Sequence, residues 1–128
     1  VLDPLAAQIT ELGCQLVICD IAPLGIMVGQ TAGVPTVLVE NFTWDWIYEA
    51  YTEQNADMGQ FIRYLRDCFQ TAGYHIQTEP LCDPQSPDLH APPISRATKT
   101  PRSQVRKALG LVDETPIVLV TMGGIPWA

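Results

Sequence analysis

Two short runs, Gln15-Leu16-Val17-Ile18-Cys19 and Val34-Pro35-Thr36-Val37-Leu38-Val39, constrain the fold most, because neither alternates apolar with polar. A strand apolar on both faces belongs to a buried parallel sheet; a half-solvated antiparallel strand would alternate. Between them, Ala22-Pro23 opens a helix and Ala32-Gly33 closes it, Pro fitting the first helical turn and Gly the end. Before them, Asp3-Pro4 opens another helix, with Leu5, Ile9 and Leu12 at helical spacing and Gly13 as its stop. Helix–strand–helix–strand with short connections predicts right-handed crossovers and an α/β, Rossmann-like parallel sheet with flanking helices.

Thr43 is placed to cap a helix in which Trp44, Ile47, Tyr48 and Tyr51 share one face, a stripe expected to be core. A longer helix is expected from about Ala56 to Ala72. There Met58, Phe61, Ile62, Leu65, Cys68 and Phe69 form an apolar stripe, and Gly73 is the expected cap. Residues His75 to Glu79 read as a short strand. From Pro80 to Pro101 six prolines mix with Ser, Asp and Thr, the composition of an extended linker. Thr100-Pro101 then opens a short helix capped by Gly110, and Pro116-Ile117-Val118-Leu119-Val120 reads as a buried strand leading into Gly123-Gly124. The expected organisation is three-part. Residues 1–82 form the late part of one α/β domain, 83–100 a linker, and 101–128 the first helix and strand of a second α/β domain. The chain opens at Val1 inside a helix-like pattern and stops before the helix that would follow Gly123-Gly124, so a piece of a longer protein is expected.

Net charge is -7, unevenly spread. Residues 1–90 hold twelve acidic side chains against Arg63 and Arg66, while residues 91–128 hold five basic against Asp113 and Glu114. The acidic part argues against nucleic acid as a partner, and the basic part is too sparse for a nucleic-acid patch. No apolar run reaches the roughly 18 residues of a membrane span. Cys14, Cys19, Cys68 and Cys82 form no CxxC pair and have no nearby His, so no metal site is expected. Cys19 and Cys68 fall at apolar positions and read as buried free thiols, which points to a reducing, cytoplasmic setting.

Ligands of open parallel sheets bind outside the carboxyl ends of the strands. Asp20 ends the first strand, where it can orient a sugar hydroxyl or cap the helix entered at Pro23. Asn41 lies at the same edge one strand later, with the same two options. Trp46 lies off the Trp44 face and is the candidate ligand wall. Asp45, Glu49 and Glu53 recur every four residues, the pattern of a solvated face; a glycosidase-type carboxylate pair is the other reading of Asp45 and Glu49. His75 and His90 have no carboxylate partner nearby in sequence. Gly123 and Gly124 read either as a tight turn approaching a diphosphate or as an ordinary strand–helix turn.

The stretches Leu16–Leu24 and Ala32–Val37 resemble the late N-terminal domain of GT-B glycosyltransferases, where a buried strand ends in Asp and Gly-Val-Pro precedes the next. Asn41-Phe42-Thr43-Trp44-Asp45-Trp46-Ile47-Tyr48 is similar to a narrower glycosyltransferase-like subgroup that includes the N-terminal region of plant-type arabinose kinases. Arg102–Gly110 and Pro116–Gly124 resemble the entry to the C-terminal domain, with a Gly-Gly loop like that of the peptidoglycan N-acetylglucosaminyltransferase family. Ile125-Pro126 replaces the Ser/Gln-type residues that often follow there, and Pro126 lacks an N–H for a phosphate. The resemblance implies an incomplete GT-B half that moves a sugar from a nucleotide-diphosphate donor to a sugar or lipid-linked acceptor, without a cofactor or an obligatory metal. Asp20, Asn41 and Trp46 would lie on the acceptor side and Gly123 and Gly124 on the donor side. The catalytic base would precede Val1, so the piece alone is expected to be inactive. The alternative is a non-catalytic sugar- or nucleotide-binding module attached to another domain such as a sugar kinase. Exposed strand edges, Val118–Val120 above all, raise the expectation of a homodimer.

Overall fold

A computed structural model describes residues 1–111 and 115–120. The chain divides into two compact units, Val1–Ile94 and Ser95–Ala128. The first holds α1 (Leu2–Glu11), β1 (Val17–Asp20), α2 (Pro23–Ala32), β2 (Thr36–Glu40), α3 (Trp44–Glu49), α4 (Met58–Gln70), β3 (Tyr74–Thr78) and β4 (Leu89–Ala91). The four strands form one sheet in the order β1-β2-β3-β4, and every neighbouring pair is parallel. This is the α/β, Rossmann-like parallel sheet read from the two apolar runs.

Local chemistry accounts for the helix ends. Pro4 and Pro23 lie in first turns, where a missing N–H leaves nothing unsatisfied. Gly33 closes α2 in the left-handed region (φ 68°). Its N–H donates to Gln30 O, and the N–H of Val34 donates to Gly29 O. That pair of bonds is a Schellman closure, which satisfies two otherwise orphaned carbonyls. Gly73 behaves differently from the cap expected of it. Thr71 ends α4, and Gly73 is needed for closeness: a Cβ there would lie 3.2 Å from Thr36 O. Its N–H donates to Thr36 Oγ1 at 3.0 Å, which docks the start of β3 beside β2.

Because the sheet advances in one direction, successive crossovers lay their helices on the same face. Cys19 of β1, Ile26 of α2, Leu38 of β2 and Phe69 of α4 make the buried core, with Val17, Leu65 and Ala72 packed against it. Gly25 and Gly29 let α2 lie flush on the strands. A Cβ at Gly29 would come within 2.3 Å of Thr36 Cγ2, and one at Gly25 within 2.7 Å of Cys19 Sγ. The opposite face is uncovered among the described residues. Ile18 is 68% exposed, Tyr74 is exposed, and Val37 and Val39 are half-buried. The composition of β1 and β2 fits cover on two faces; the described residues supply one.

Two elements depart from expectation. Residues 89–91, inside the Pro-rich stretch, pair with β3 as β4. Three residues are too few to show a period, so composition alone read them as linker. The strand expected at 116–120 does not form: residues 115–120 are irregular, and Val118, Leu119 and Val120 are exposed. A parallel strand needs a hydrogen-bonded neighbour, and among the described residues the second unit supplies only α5 (Arg102–Ala108). Gly110 (φ 69°) closes α5 as expected. Gly123 and Gly124 lie outside the described residues.

Candidate functional site

The helix-covered face of β2 and β3 carries an extended polar arrangement. Along β2, Thr36, Leu38 and Glu40 alternate inward and are buried. The register sets Leu38 opposite His75 and Glu40 opposite Gln77, so all four lie on the helix-covered face. Glu40 is only 3% exposed, and its Oε1 lies 2.7 Å from Nε2 of His75. A buried carboxylate is costly without a partner, and the imidazole supplies one. His75, isolated in the sequence, pairs diagonally across parallel strands, a proximity that sequence distance hides. Its signal was present in an apolar strand ending in Glu beside a strand carrying His.

Gln77 is fully buried and holds the connection that follows β3. Its Nε2 donates to Asp83 O at 2.9 Å, and its Oε1 accepts from the N–H of Gln85 at 2.8 Å. The β3–β4 crossover is a loop, whereas parallel crossovers usually carry a helix. A cleft of about 520 Å³ opens there on the helix-covered face, bounded by Leu38 and Glu40 of β2, His75 near the start of β3, α3, α4 and residues 83–86. Small-molecule sites commonly span roughly 300–1,000 Å³.

The outer wall comes from α3. Arg66 of α4 donates from Nε to Asp45 Oδ2 at 3.2 Å and from Nη2 to Glu49 Oε1 at 2.5 Å. The hydrogen bonds to Asp45, and then to Glu49, push the guanidinium above its ordinary value. The acidic repeat is therefore split: Asp45 is 8% exposed and turned in against Arg66, while Glu49, on the same guanidinium, keeps the solvent exposure expected of the repeat. The bridge docks α3 on α4, which is reason enough for Arg66 Nε and Asp45 Oδ2. It leaves Asp45 Oδ1 buried with no hydrogen-bond partner.

The sequence-derived candidates separate. Trp46 lines the cleft with Glu40, His75, Asp45 and Arg66. Asn41 donates to Pro80 O at 3.5 Å, and its carbonyl accepts from Cys82 N–H, tying the end of β2 to the loop after β3. Asp20 alternates with buried Cys19 and so lies on the opposite face from the cleft. Its side chain makes no hydrogen bond among the described residues, and Ala22 is the N-cap of α2. The next residue, Ile21, sits at φ 44°, an unusual conformation for a β-branched side chain. The Trp44 stripe is not closed core: Trp44 and Tyr48 line an open apolar groove with Phe61 and Tyr64. Among the described residues no group of three or more His, Cys, Asp or Glu is arranged to hold a metal ion. No described helix is long and apolar enough to cross a membrane.

No protein-family model matches the chain, and no solved structure matches it. The chain is similar to an L-arabinokinase of Arabidopsis thaliana, at 27% identity over 113 residues. That alignment covers 86% of this chain and 11% of the relative's length.

Proposed function

We propose that this chain is a GT-B-like sugar-recognition module, and that its ligand enters the cleft on the helix-covered face of β2 and β3. One observation carries the reading: buried Glu40, paired with half-buried His75, and an aromatic side chain, Trp46, line the same cleft. Carboxylates accept hydroxyl hydrogen bonds, and an indole offers a flat apolar surface for a sugar's C–H face. The similarity to an L-arabinokinase supports attachment to a sugar kinase over a free-standing transferase. The test is a titration of the full chain with L-arabinose, D-glucose and N-acetylglucosamine, followed by tryptophan fluorescence. Saturable change that Trp46→Phe removes supports the module; a folded chain that responds to none of them refutes it.

Glycosyl transfer is the second reading, favoured by Asp20. This carboxylate is exposed at the end of β1, makes no described hydrogen bond, and precedes a strained Ile21. Strain of that kind clusters at functional sites. In this reading a nucleotide-sugar donor meets Gly123 and Gly124, and Asp20 and Asn41 orient an acceptor. Release of nucleoside diphosphate by the full-length parent, abolished in a folded Asp20→Ala variant of it, would favour it.

A further inference from the structure

We propose that the β2–β3 cleft selects an unphosphorylated sugar and rejects its phosphate ester and nucleotide-diphosphate form. The inference rests on the sugar-module reading and names which chemical form of the sugar that module takes. The cleft is lined by four carboxylates, Glu40, Asp45, Glu49 and Asp83. Its two basic side chains are already engaged. His75 Nε2 is 2.7 Å from Glu40, and Arg66 is shared between Asp45 and Glu49. A phosphate would therefore meet uncompensated negative charge and no free guanidinium. Focused fields of one sign in a cleft concentrate ligands of the other sign and repel their own.

Asp45 adds to the charge imbalance. It lines the cleft, Arg66 meets only its Oδ2, and its Oδ1 is closed to solvent without a hydrogen-bond donor. A neutral sugar enters such a cleft without adding charge, whereas a phosphate brings further negative charge beside the carboxylates. On the opposite rim Ser86 offers a hydroxyl and Gln85 its amide oxygen, the Gln85 Nε2 already donating to Asp83 Oδ2 at 2.6 Å. The arrangement suits recognition of a free sugar before a phosphoryl or glycosyl transfer, with weak hold on the phosphorylated product.

The test compares L-arabinose with L-arabinose 1-phosphate, and D-glucose with D-glucose 1-phosphate and UDP-glucose, by calorimetry on the full chain at low and moderate salt. The free sugars are expected to bind at least tenfold more tightly than their phosphates, with the gap narrowing as salt rises. Asp45→Asn, which removes one negative charge from the cleft wall, should shrink the gap by strengthening the phosphates relative to the free sugars. Melting of that variant checks its fold, and the wild-type comparison stands without it. Equal or tighter binding of the phosphates, with the free sugars still bound, overturns this inference and leaves the module reading standing. Binding of neither form overturns both.

Discussion

Replacing Gly29 with alanine should destabilise the chain through one methyl–methyl collision. Gly29 is buried in α2, and a Cβ there would lie 2.3 Å from Thr36 Cγ2 and 3.2 Å from Val34 O. The first distance is far inside contact; the second needs only a small shift. Overpacking of this kind costs about 3 kcal/mol. Alanine's better helix propensity returns about 1 kcal/mol. The net loss of about 2 kcal/mol corresponds to a fall in Tm of roughly 6–8 °C for a chain of this size. Thr36→Ser removes Cγ2 yet keeps Oγ1, which accepts from Gly73 N–H at 3.0 Å. Alone it should cost about 1 kcal/mol for the lost buried methyl. In that background Gly29→Ala should cost less than about 1 kcal/mol, a coupling of about 1–2 kcal/mol in a double-mutant cycle. Urea unfolding followed by circular dichroism measures all four proteins. A Gly29→Ala cost that is equal in both backgrounds, within about 0.5 kcal/mol, refutes the reasoning and removes the close α2–β2 approach as the reason for glycine.

Arg66→Met should destabilise by about 2 kcal/mol, less than a fully buried pair because Arg66 is 44% exposed, and urea titration measures it. Gln77→Leu leaves the carbonyl of Asp83 and the N–H of Gln85 without their partner. It should cost about 2–3 kcal/mol and speed amide exchange at residues 83–85. Burial pushes the Cys19 thiol above its ordinary 9.0, so the unfolded chain loses that proton first as pH rises. Its stabilising contribution is complete below pH 9.0 and is lost on titration through the higher folded value; Cys19→Ala should flatten this alkaline slope. Exposed Cys82 should react with a thiol reagent in the native state while Cys19 reacts only on unfolding, as mass spectrometry of labelled peptides reads.

The sheet was legible because β1 and β2 are apolar along their length and α2 carries its own start and stop signals. The site was legible only in part. Trp46 stood out by lying off the Trp44 face, and it does line the cleft. Glu40, His75 and Gln77 did not stand out, since their meeting depends on the register between strands separated by two helices. Asp45 reads as solvent-facing like Glu49, which is exposed, because a four-residue acidic repeat carries no sign of an Arg one helix later. The Pro-rich stretch hid β4, which is held by pairing with β3 and has no pattern of its own. Residues 116–120 show the converse: strong strand composition without a neighbouring strand gives no strand.

The most direct test of the sugar-module account is a heteronuclear NMR titration of the full chain with L-arabinose and D-glucose. The account predicts saturable shifts clustered at Glu40–Glu49, Arg66–His75 and Asp83–Ser86, and their loss in a folded Glu40→Gln, Trp46→Phe double variant. Saturable shifts centred elsewhere, or none in a folded chain at high sugar concentration, would contradict it.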